Sequence, residues 1–244
     1  MSELTNKVIW ITGASSGIGE ALVYELARKG ATLILSSRRK EELERVKRNC
    51  TAEAQTKISI LPLDLSKSAE LKDSAATAIQ LYGHIDILIN NGGLGQRSFV
   101  NDTSLEVYRQ IMEVNYFGPV ALTKYLLPHF ISRKQGHYVT VSSLTGKFGT
   151  PSRSAYAASK HALHGFFDSV RAEHCKDGIS VTLICPGFIR TQLPLTALTG
   201  NITGPVKTDK EHYSRKSAAW CAHKISTAME RKSEEIYIGG KEVL

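Results

Sequence analysis

Val8-Ile9-Trp10-Ile11-Thr12-Gly13-Ala14-Ser15-Ser16-Gly17-Ile18-Gly19 is a short apolar run that breaks into a glycine-rich turn and then into a helical pattern. Glycines let a backbone turn tightly and approach a phosphate, and a helix amino end offers free N–H groups and positive potential. The spacing is Gly13-x-x-x-Gly17-x-Gly19, not the G-x-G-x-x-G of longer dinucleotide enzymes, and no Gly-Lys-Ser/Thr follows to make a P-loop. The alternative is a tight strand-to-helix turn with no ligand. In the first β-α unit of a sheet the phosphate reading is favoured, with Gly13, Ser15, Ser16, Gly17, Ile18 and Gly19 as the contacts.

Outward from this turn, β-rich runs alternate with helical patterns. Strands are expected at 7–12, 32–37, 57–63, 85–90, 137–142, 179–185 and 235–239. Helices are expected near 18–29, 40–49, 67–82, 104–131, 155–176 and 215–231. Such regular alternation implies β-α-β units and a parallel sheet covered on both faces. Runs such as Ile85-Asp86-Ile87-Leu88-Ile89 suit strands buried on both sides. No short repeat, low-complexity segment or linker interrupts the chain, so residues 1–244 read as one domain of the α/β class, a doubly wound Rossmann-type sheet of about seven strands.

The second strand ends in Ser36-Ser37-Arg38-Arg39. An acidic residue about 20 positions past the glycines holds the ribose 2′-hydroxyl in NAD-type sites, and here hydroxyls and arginines stand in its place. Guanidinium grips a 2′-phosphate that a carboxylate would repel. Cations are unfavourable at a helix amino end, so the cluster wants an anionic partner. NADP(H) is therefore expected over NAD(H), with Ser37, Arg38 and Arg39 at the phosphate. Strand three ends in Asp64-Leu65 and strand four in Asn90-Asn91-Gly92-Gly93, both at the sheet edge where ligands bind. Asp64 can accept from an adenine amino group or cap the helix near Ser66. Gly92 and Gly93 leave room for a ring or ribose.

A second informative stretch runs from Ser142 to Lys160. A hydroxyl pair closes a β-branched run, a Gly/Pro-rich loop follows, and a helix opens with Tyr156 and Lys160, neighbours at i and i+4. Free tyrosine has a pKa of about 10, and a cation about 4 Å away at an effective dielectric of about 20 is worth about 4 kcal/mol. Lys160 is thus expected to bring the Tyr156 phenol toward neutral pH, with Ser143 hydrogen-bonding the same oxygen. Taken alone, the pair reads as a surface helix; the rest of the chain argues otherwise. In Val114-Asn115-Tyr116-Phe117-Gly118-Pro119, Pro119 lacks the N–H that would bond the Asn115 carbonyl. The outcome is either a packing kink or a free carbonyl holding a water. After the sixth strand, Pro186-Gly187-Phe188-Ile189-Arg190-Thr191 leads into 192–214, expected as a cover over substrate. Leu94, Gln96, Leu144, Phe148, Phe188 and Leu193 are the candidate substrate-pocket residues, mostly apolar.

Composition bounds the rest. Apolar residues make up 42% and charged residues 22%, ordinary for a globular chain. No run is apolar enough for a transmembrane segment, and MSELTNKV does not read as a signal peptide. Cys50, Cys175, Cys185 and Cys221 have no metal-ligand spacing. They suit a reducing compartment, and no metal is expected. Without a secretory signal the N-x-T triplets at Asn49, Asn101 and Asn201 are chance matches. The net charge of +8 invites a nucleic-acid reading, yet the basic residues are spread out and no recognition motif accompanies them.

Together these residues resemble the short-chain dehydrogenase/reductase family over nearly the whole chain. By resemblance, Thr12–Gly19 is the cofactor turn and Asp64 and Leu65 the adenine contact. Asn90–Gly93 matches Asn-Asn-Ala-Gly with Gly92 in place of Ala. Asn115, Ser143, Tyr156 and Lys160 fall where that family has its catalytic tetrad, Ser143 standing thirteen residues before the tyrosine. Pro186, Gly187, Ile189 and Thr191 resemble the nicotinamide-side loop. NNGG, QRS, DTSL and ASKHAL-x-GFF look nearest to the branch called family member 7. Relatives there generally carry an N-terminal membrane anchor; MSELTNKV does not read as one. A cytoplasmic protein is expected, with membrane association implied only by family analogy.

The resemblance implies reversible hydride transfer between NADP(H) and a lipophilic alcohol or carbonyl compound such as a steroid, retinoid or xenobiotic ketone. Tyr156 would be the acid/base, Lys160 would lower its pKa and bind ribose, Ser143 would polarise the carbonyl, and Asn115 would hold a relay water. A homodimer or homotetramer on the helices near 104–131 and 155–176 is implied as well. The competing reading is a non-catalytic NADP(H)-binding sensor or scaffold. A methyltransferase would share the glycine turn but leave Ser143, Tyr156 and Lys160 unexplained.

Overall fold

The alternation of apolar runs and helical patterns is realised as a parallel sheet in a computed structural model, which describes residues 2–200 and 216–243. The first strand, β1 (Val8–Thr12), is buried along its length because both of its faces are covered. Successive side chains of a strand point to opposite faces. Ile9 and Ile11 accordingly join one apolar cluster with Leu22 and Leu26 of α1 (Gly17–Arg28), while Val8 and Trp10 join the other. Burying each such side chain contributes about 1.5–3 kcal/mol.

The chain continues through β2 (Thr32–Ser36), α2 (Lys40–Arg48), α3 (Ala52–Gln55), β3 (Ile58–Ile60), α4 (Leu71–Tyr82) and β4 (Ile87–Asn90). The second half comprises α5 (Leu105–Met112), α6 (Gly118–Arg133), β5 (Gly136–Val141), α7 (Ser154–His174) and β6 (Ile179–Pro186). A two-residue pair, β7 (Ile189–Arg190) and β8 (Lys216–Ser217), then leads to α8 (Ala218–Glu230) and β9 (Glu235–Ile238). The main sheet has the order β3-β2-β1-β4-β5-β6-β9, and every neighbouring pair is parallel. Side chains of α1, α2 and α8 cover one face, and those of α4, α6 and α7 cover the other. Winding runs outward from β1 to β3, then restarts in the opposite direction at β4. The carboxyl ends of β1 and β4 therefore diverge into a crevice, the place where ligands of such sheets bind.

The strand and helix expectations hold, with instructive departures. The helix expected over 104–131 is interrupted: α5 ends at Met112, Glu113–Phe117 forms a π-helical turn, and α6 follows. A π turn adds a residue to the helical circuit, and here it falls on Asn115 directly before Pro119, where the sequence suggested a kink. Strand three stops at Ile60 rather than 63, and α3, β7 and β8 are too short to leave a periodic signal. Of the expected cover, 192–200 is described and contains a single 3₁₀ turn at Leu193–Thr196; 201–214 lies outside the described residues. Among the described residues no helix is long and apolar enough to cross a membrane.

Burial makes an unpaired polar group costly; within the sheet Asn90 Oδ1 and Thr140 Oγ1 have no partner among the described residues, whereas Trp10 and Ser36 do. The Trp10 indole N–H donates to Ser36 Oγ at 2.8 Å, and that hydroxyl donates onward to the Leu61 carbonyl at 2.5 Å.

Candidate active site

One cavity of about 930 Å³ opens along the carboxyl ends of the strands. That volume suits a site holding a cofactor and a small substrate. Its floor is the turn after β1. Gly13 and Gly17 have φ of +65° and +60°, backbone that L side chains rarely adopt. A Cβ on Gly13 would stand 2.7 Å from Gly92 Cα, so the turns after β1 and β4 close on each other only without side chains. Thr12 and Asn91 lace these turns together. Thr12 Oγ1 accepts from the N–H groups of Asn91 and Gly92 at 3.1 and 3.0 Å. Asn91 Nδ2 donates to the carbonyls of Thr12 and Gly13 at 3.1 and 3.2 Å.

Ser16 precedes α1 without a side-chain cap, which leaves the helix amino end for another acceptor. Ser15, Ser16, Gly17 and Ile18 line the cavity around it. Gly19 lies behind them: a Cβ there would be 2.1 Å from the Gly13 carbonyl oxygen, so it serves helix packing rather than ligand contact. Ser37, Arg38 and Arg39 line the rim beyond α1, with Arg39 Nη2 donating to Ser15 Oγ at 3.3 Å. The Gly13/Gly17 cradle, the uncapped helix and the exposed Arg38 and Arg39 fit a nicotinamide dinucleotide.

Asp64 and Leu65 also face the cavity, but one carboxylate oxygen of Asp64 already accepts from Ser66 N and Oγ at 3.0 and 2.8 Å. This is a local turn rather than the helix cap considered for it: the 3₁₀ turn that follows begins at Ser68 with Lys67 as its N-cap, and α4 begins at Leu71 with Glu70 as its N-cap. Burial raises its pKa, but the Ser66 bonds and the Arg38 charge outweigh that and hold the carboxyl below its ordinary range.

The opposite wall comes from β5, α7 and β6. Ser143 leaves the end of β5 extended and accepts from Thr145 N and Oγ1 at 3.2 and 3.0 Å, which leaves its own hydrogen for the Tyr156 oxygen. Tyr156 and Lys160, one turn apart on α7, are both buried and both line the cavity. Lys160 Nζ donates to the Val141 carbonyl at 2.8 Å and lies 5.7 Å from the Tyr156 ring centre.

The electrostatics differ from the sequence expectation here. Burial pushes the Tyr156 phenol up; the Ser143 hydrogen bond and the Arg153 charge pull it only part of the way back. Burial also pushes Lys160 down to about 8. The polypeptide alone therefore does not hold the phenol low: the ammonium bonds Val141 and lies over the ring rather than against the oxygen.

Asn115 does not line the cavity. Its amide is engaged by the main chain of Leu94, accepting from N at 2.7 Å and donating to O at 2.9 Å, and it donates to Ser159 Oγ at 3.0 Å. Ser159 in turn donates to the Tyr156 carbonyl at 2.7 Å. Gly93 permits this approach, since a Cβ there would meet Asn115 Oδ1 at 3.1 Å and Lys160 Nζ at 3.8 Å.

The loop after β6 brings Pro186, Gly187, Ile189 and Thr191 to the cavity as expected. Of the substrate candidates, Leu94, Leu144, Phe148, Phe188 and Leu193 line it. Gln96 does not: it is fully buried, and its Nε2 donates to Ser98 O and Oγ at 2.8 and 3.0 Å. Polarity read from a loop did not reveal that the side chain turns inward to staple that loop. Arg97, Gln110, Arg153 and Glu242 line the cavity without having been anticipated. Arg153 stands three residues before Tyr156 as the N-cap of α7, just outside the helix expected at 155–176. Glu242, which accepts from Phe188 N at 2.9 Å, is brought in by tertiary folding alone.

Comparison with known proteins agrees with this geometry. The family model described as short chain dehydrogenase matches residues 7–198. Human dehydrogenase/reductase SDR family member 7 is 44% identical over 240 residues, which cover 97% of this chain and 71% of the human protein. The Drosophila melanogaster family protein 7-like is 43% identical, covering 97% of this chain and 74% of its own. A short-chain dehydrogenase from Streptomyces avermitilis superposes with a TM-score of 0.84 at 27% identity, covering 98% of this chain and 90% of that one. The alcohol dehydrogenase of Thermococcus sibiricus, solved with 5-hydroxy-NADP, shares the fold with a TM-score of 0.83 at 23% identity, covering 96% and 97%.

Proposed function

The chain belongs to the short-chain dehydrogenase/reductase family, oxidoreductases that use a nicotinamide cofactor, and from that premise we propose that it transfers hydride reversibly between NADP(H) and a lipophilic alcohol/carbonyl pair. The observation that supports this reading is that Ser143, Tyr156 and Lys160 line the same cavity as the Gly13/Gly17 turn and Arg38.

Bound NADP(H) supplies or takes the hydride. Ser143 and Tyr156 hydrogen-bond the carbonyl oxygen where negative charge develops. Tyr156 donates the proton in reduction and accepts it in oxidation. A phenol raised by burial suits the donor role, and Arg153 and Ser143 temper it. Lys160, with an ammonium that burial makes acidic, holds the ribose hydroxyls and returns protons to the phenol. Asn115 fixes the Leu94 loop with its side chain, while its main-chain carbonyl, which Pro119 cannot bond, holds a water linking Lys160 to solvent.

Arg38 and Arg39 select NADP(H) over NAD(H) by gripping the 2′-phosphate. Leu94, Leu144, Phe148, Phe188 and Leu193 favour an apolar substrate such as a steroid, retinoid or xenobiotic ketone. Residues 1–244 act as one dinucleotide-binding and catalytic domain in a cytoplasmic homodimer or homotetramer. The exposed Phe117 and Tyr125 are apolar surface on which such copies can pair. Neither a nucleic acid nor a metal takes part in this reading.

The test follows NADPH and NADH absorbance across a panel of ketones and aldehydes. NADPH oxidation with apolar members, faster than NADH oxidation, is the expected result. If NADPH bound tightly but no member of the panel were reduced, the sensor or scaffold reading would replace this one.

A further inference from the structure

Behind the wall that carries Ser143, side chains from four parts of the fold meet around one imidazole. His164 of α7 lies one turn past Lys160 and is buried, as are Ser142 at the end of β5 and Cys185 of β6. His164 Nε2 is 2.9 Å from Ser142 Oγ and 3.8 Å from Cys185 Sγ. Ser142 Oγ donates to the Lys160 carbonyl at 3.3 Å, and Ser142 N donates to the Ile184 carbonyl at 2.7 Å.

A serine hydroxyl has one hydrogen. With that hydrogen on the Lys160 carbonyl, Nε2 must carry the proton and donate it to Ser142 Oγ. Nδ1 then faces Glu235 Oε2 of β9 at 3.5 Å without a hydrogen bond. Gly146 makes room for the arrangement, since a Cβ there would stand 2.5 Å from Ser142 Oγ and 2.9 Å from His164 Nε2. His164, Cys185 and Glu235 have metal-ligand character, yet Lys147 Nζ already sits 2.9 Å from the same Glu235 oxygen. The carboxylate has its cation, so the cluster is read as a brace.

We propose that His164 is a positioning residue for the reaction: through the Ser142 hydroxyl it holds, at one point, the strand end that presents Ser143 and the helix turn that presents Lys160. The inference rests on the hydride-transfer reading above. Ser142 is the covalent neighbour of Ser143, and the carbonyl it bonds belongs to Lys160 itself. Losing the brace frees Ser143, which addresses the reacting oxygen, and Lys160, which serves the phenol, and small displacements at a reacting centre cost up to about a hundredfold in rate. Glu235 and Lys147 lie on the far side of the ring, paired with each other at 2.9 Å.

The test is a double-mutant cycle in the full chain, with NADPH and 4-nitrobenzaldehyde among the carbonyl probes, alongside Tyr156→Phe. His164→Leu and Ser142→Ala are each expected to lower kcat about tenfold while leaving KM for NADPH within about twofold. The double variant is expected to be no worse than the poorer single one, because both act through one contact. His164→Gln, which can present an N–H to Ser142, is expected to recover most of the loss. Wild-type kcat in His164→Leu, or losses that multiply in the double variant, would overturn the proposal.

If Tyr156→Phe is inactive while His164→Leu is unimpaired, only this proposal falls. If Tyr156→Phe turns over normally, the parent reading falls with it. Should no probe be reduced, the near-ultraviolet phenolate titration of Tyr156, isolated by difference against Tyr156→Phe, decides. A midpoint unmoved in His164→Leu counts against the brace, and a shifted one supports it.

Discussion

The two walls of the cavity are made in opposite ways. The wall after β1 and β4 is built from backbone: Gly13, Gly17 and Gly92 contribute by lacking a side chain, and the uncapped start of α1 contributes N–H groups. The wall after β5 is built from side chains, where Tyr156 and Lys160, both buried, take their proton affinities from their surroundings and Ser143 stands beside the phenol. A backbone wall works through shape and a fixed dipole, so it responds to substitution mainly in binding. A side-chain wall works through proton position, so it responds mainly in turnover and in pH.

The largest test of that division is Tyr156→Phe. Removing the proton donor is expected to lower kcat by about 10²–10⁴-fold, with NADPH binding, followed by fluorescence, within a few fold of wild type. Equal losses in binding and turnover would erase the distinction between the walls.

Gly13→Ala is the converse experiment. Left-handed backbone costs a non-glycine residue about 1–2 kcal/mol, and the added Cβ meets Gly92 Cα at 2.7 Å. A drop in unfolding free energy of at least about 2 kcal/mol is expected, together with loss of NADPH affinity. Chemical denaturation and cofactor titration would check both.

Arg38→Ala should weaken NADPH binding by about ten- to a hundredfold, the loss of a charge-assisted bond worth about 1.5–3 kcal/mol, while NADH binding stays unchanged. Equal effects on the two cofactors would remove Arg38 from 2′-phosphate recognition.

The smallest effect is on stability, and its sign is opposite to its effect on activity. Lys160 has a folded pKa near 8, below the 10.5 of a free lysine, because burial disfavours its charge. The unfolded chain therefore binds more protons between those values, and stability rises with pH across that window. Lys160→Met is expected to be about 1–3 kcal/mol more stable than wild type at pH 7, and inactive. That gain should shrink as the pH climbs from 8 toward 10.5. Denaturation at pH 7 and pH 10 would show it, and a variant less stable at pH 7 would contradict the burial cost assigned to the ammonium.

Legibility followed the same division. The glycine turn, the turn at Asn91 that directly follows β4, and the helical spacing of Tyr156 and Lys160 are local facts about φ and about period, and they stand where the chain order places them. Gln96 was misplaced because a polar side chain in a loop gives no sign of whether it faces a ligand or a neighbouring main chain. Glu242 and His164 were out of reach, since their partners lie far away in sequence.

From sequence alone came the sheet class, the glycine cradle and the arginines past β2, because each depends on residue type and spacing along the chain. Tertiary structure alone decided the protonation of the reacting wall. Whether a phenol is pushed up or pulled down depends on how much water packing removes and on where a neighbouring ammonium finds its acceptor, and both are set by segments that meet only in the folded state.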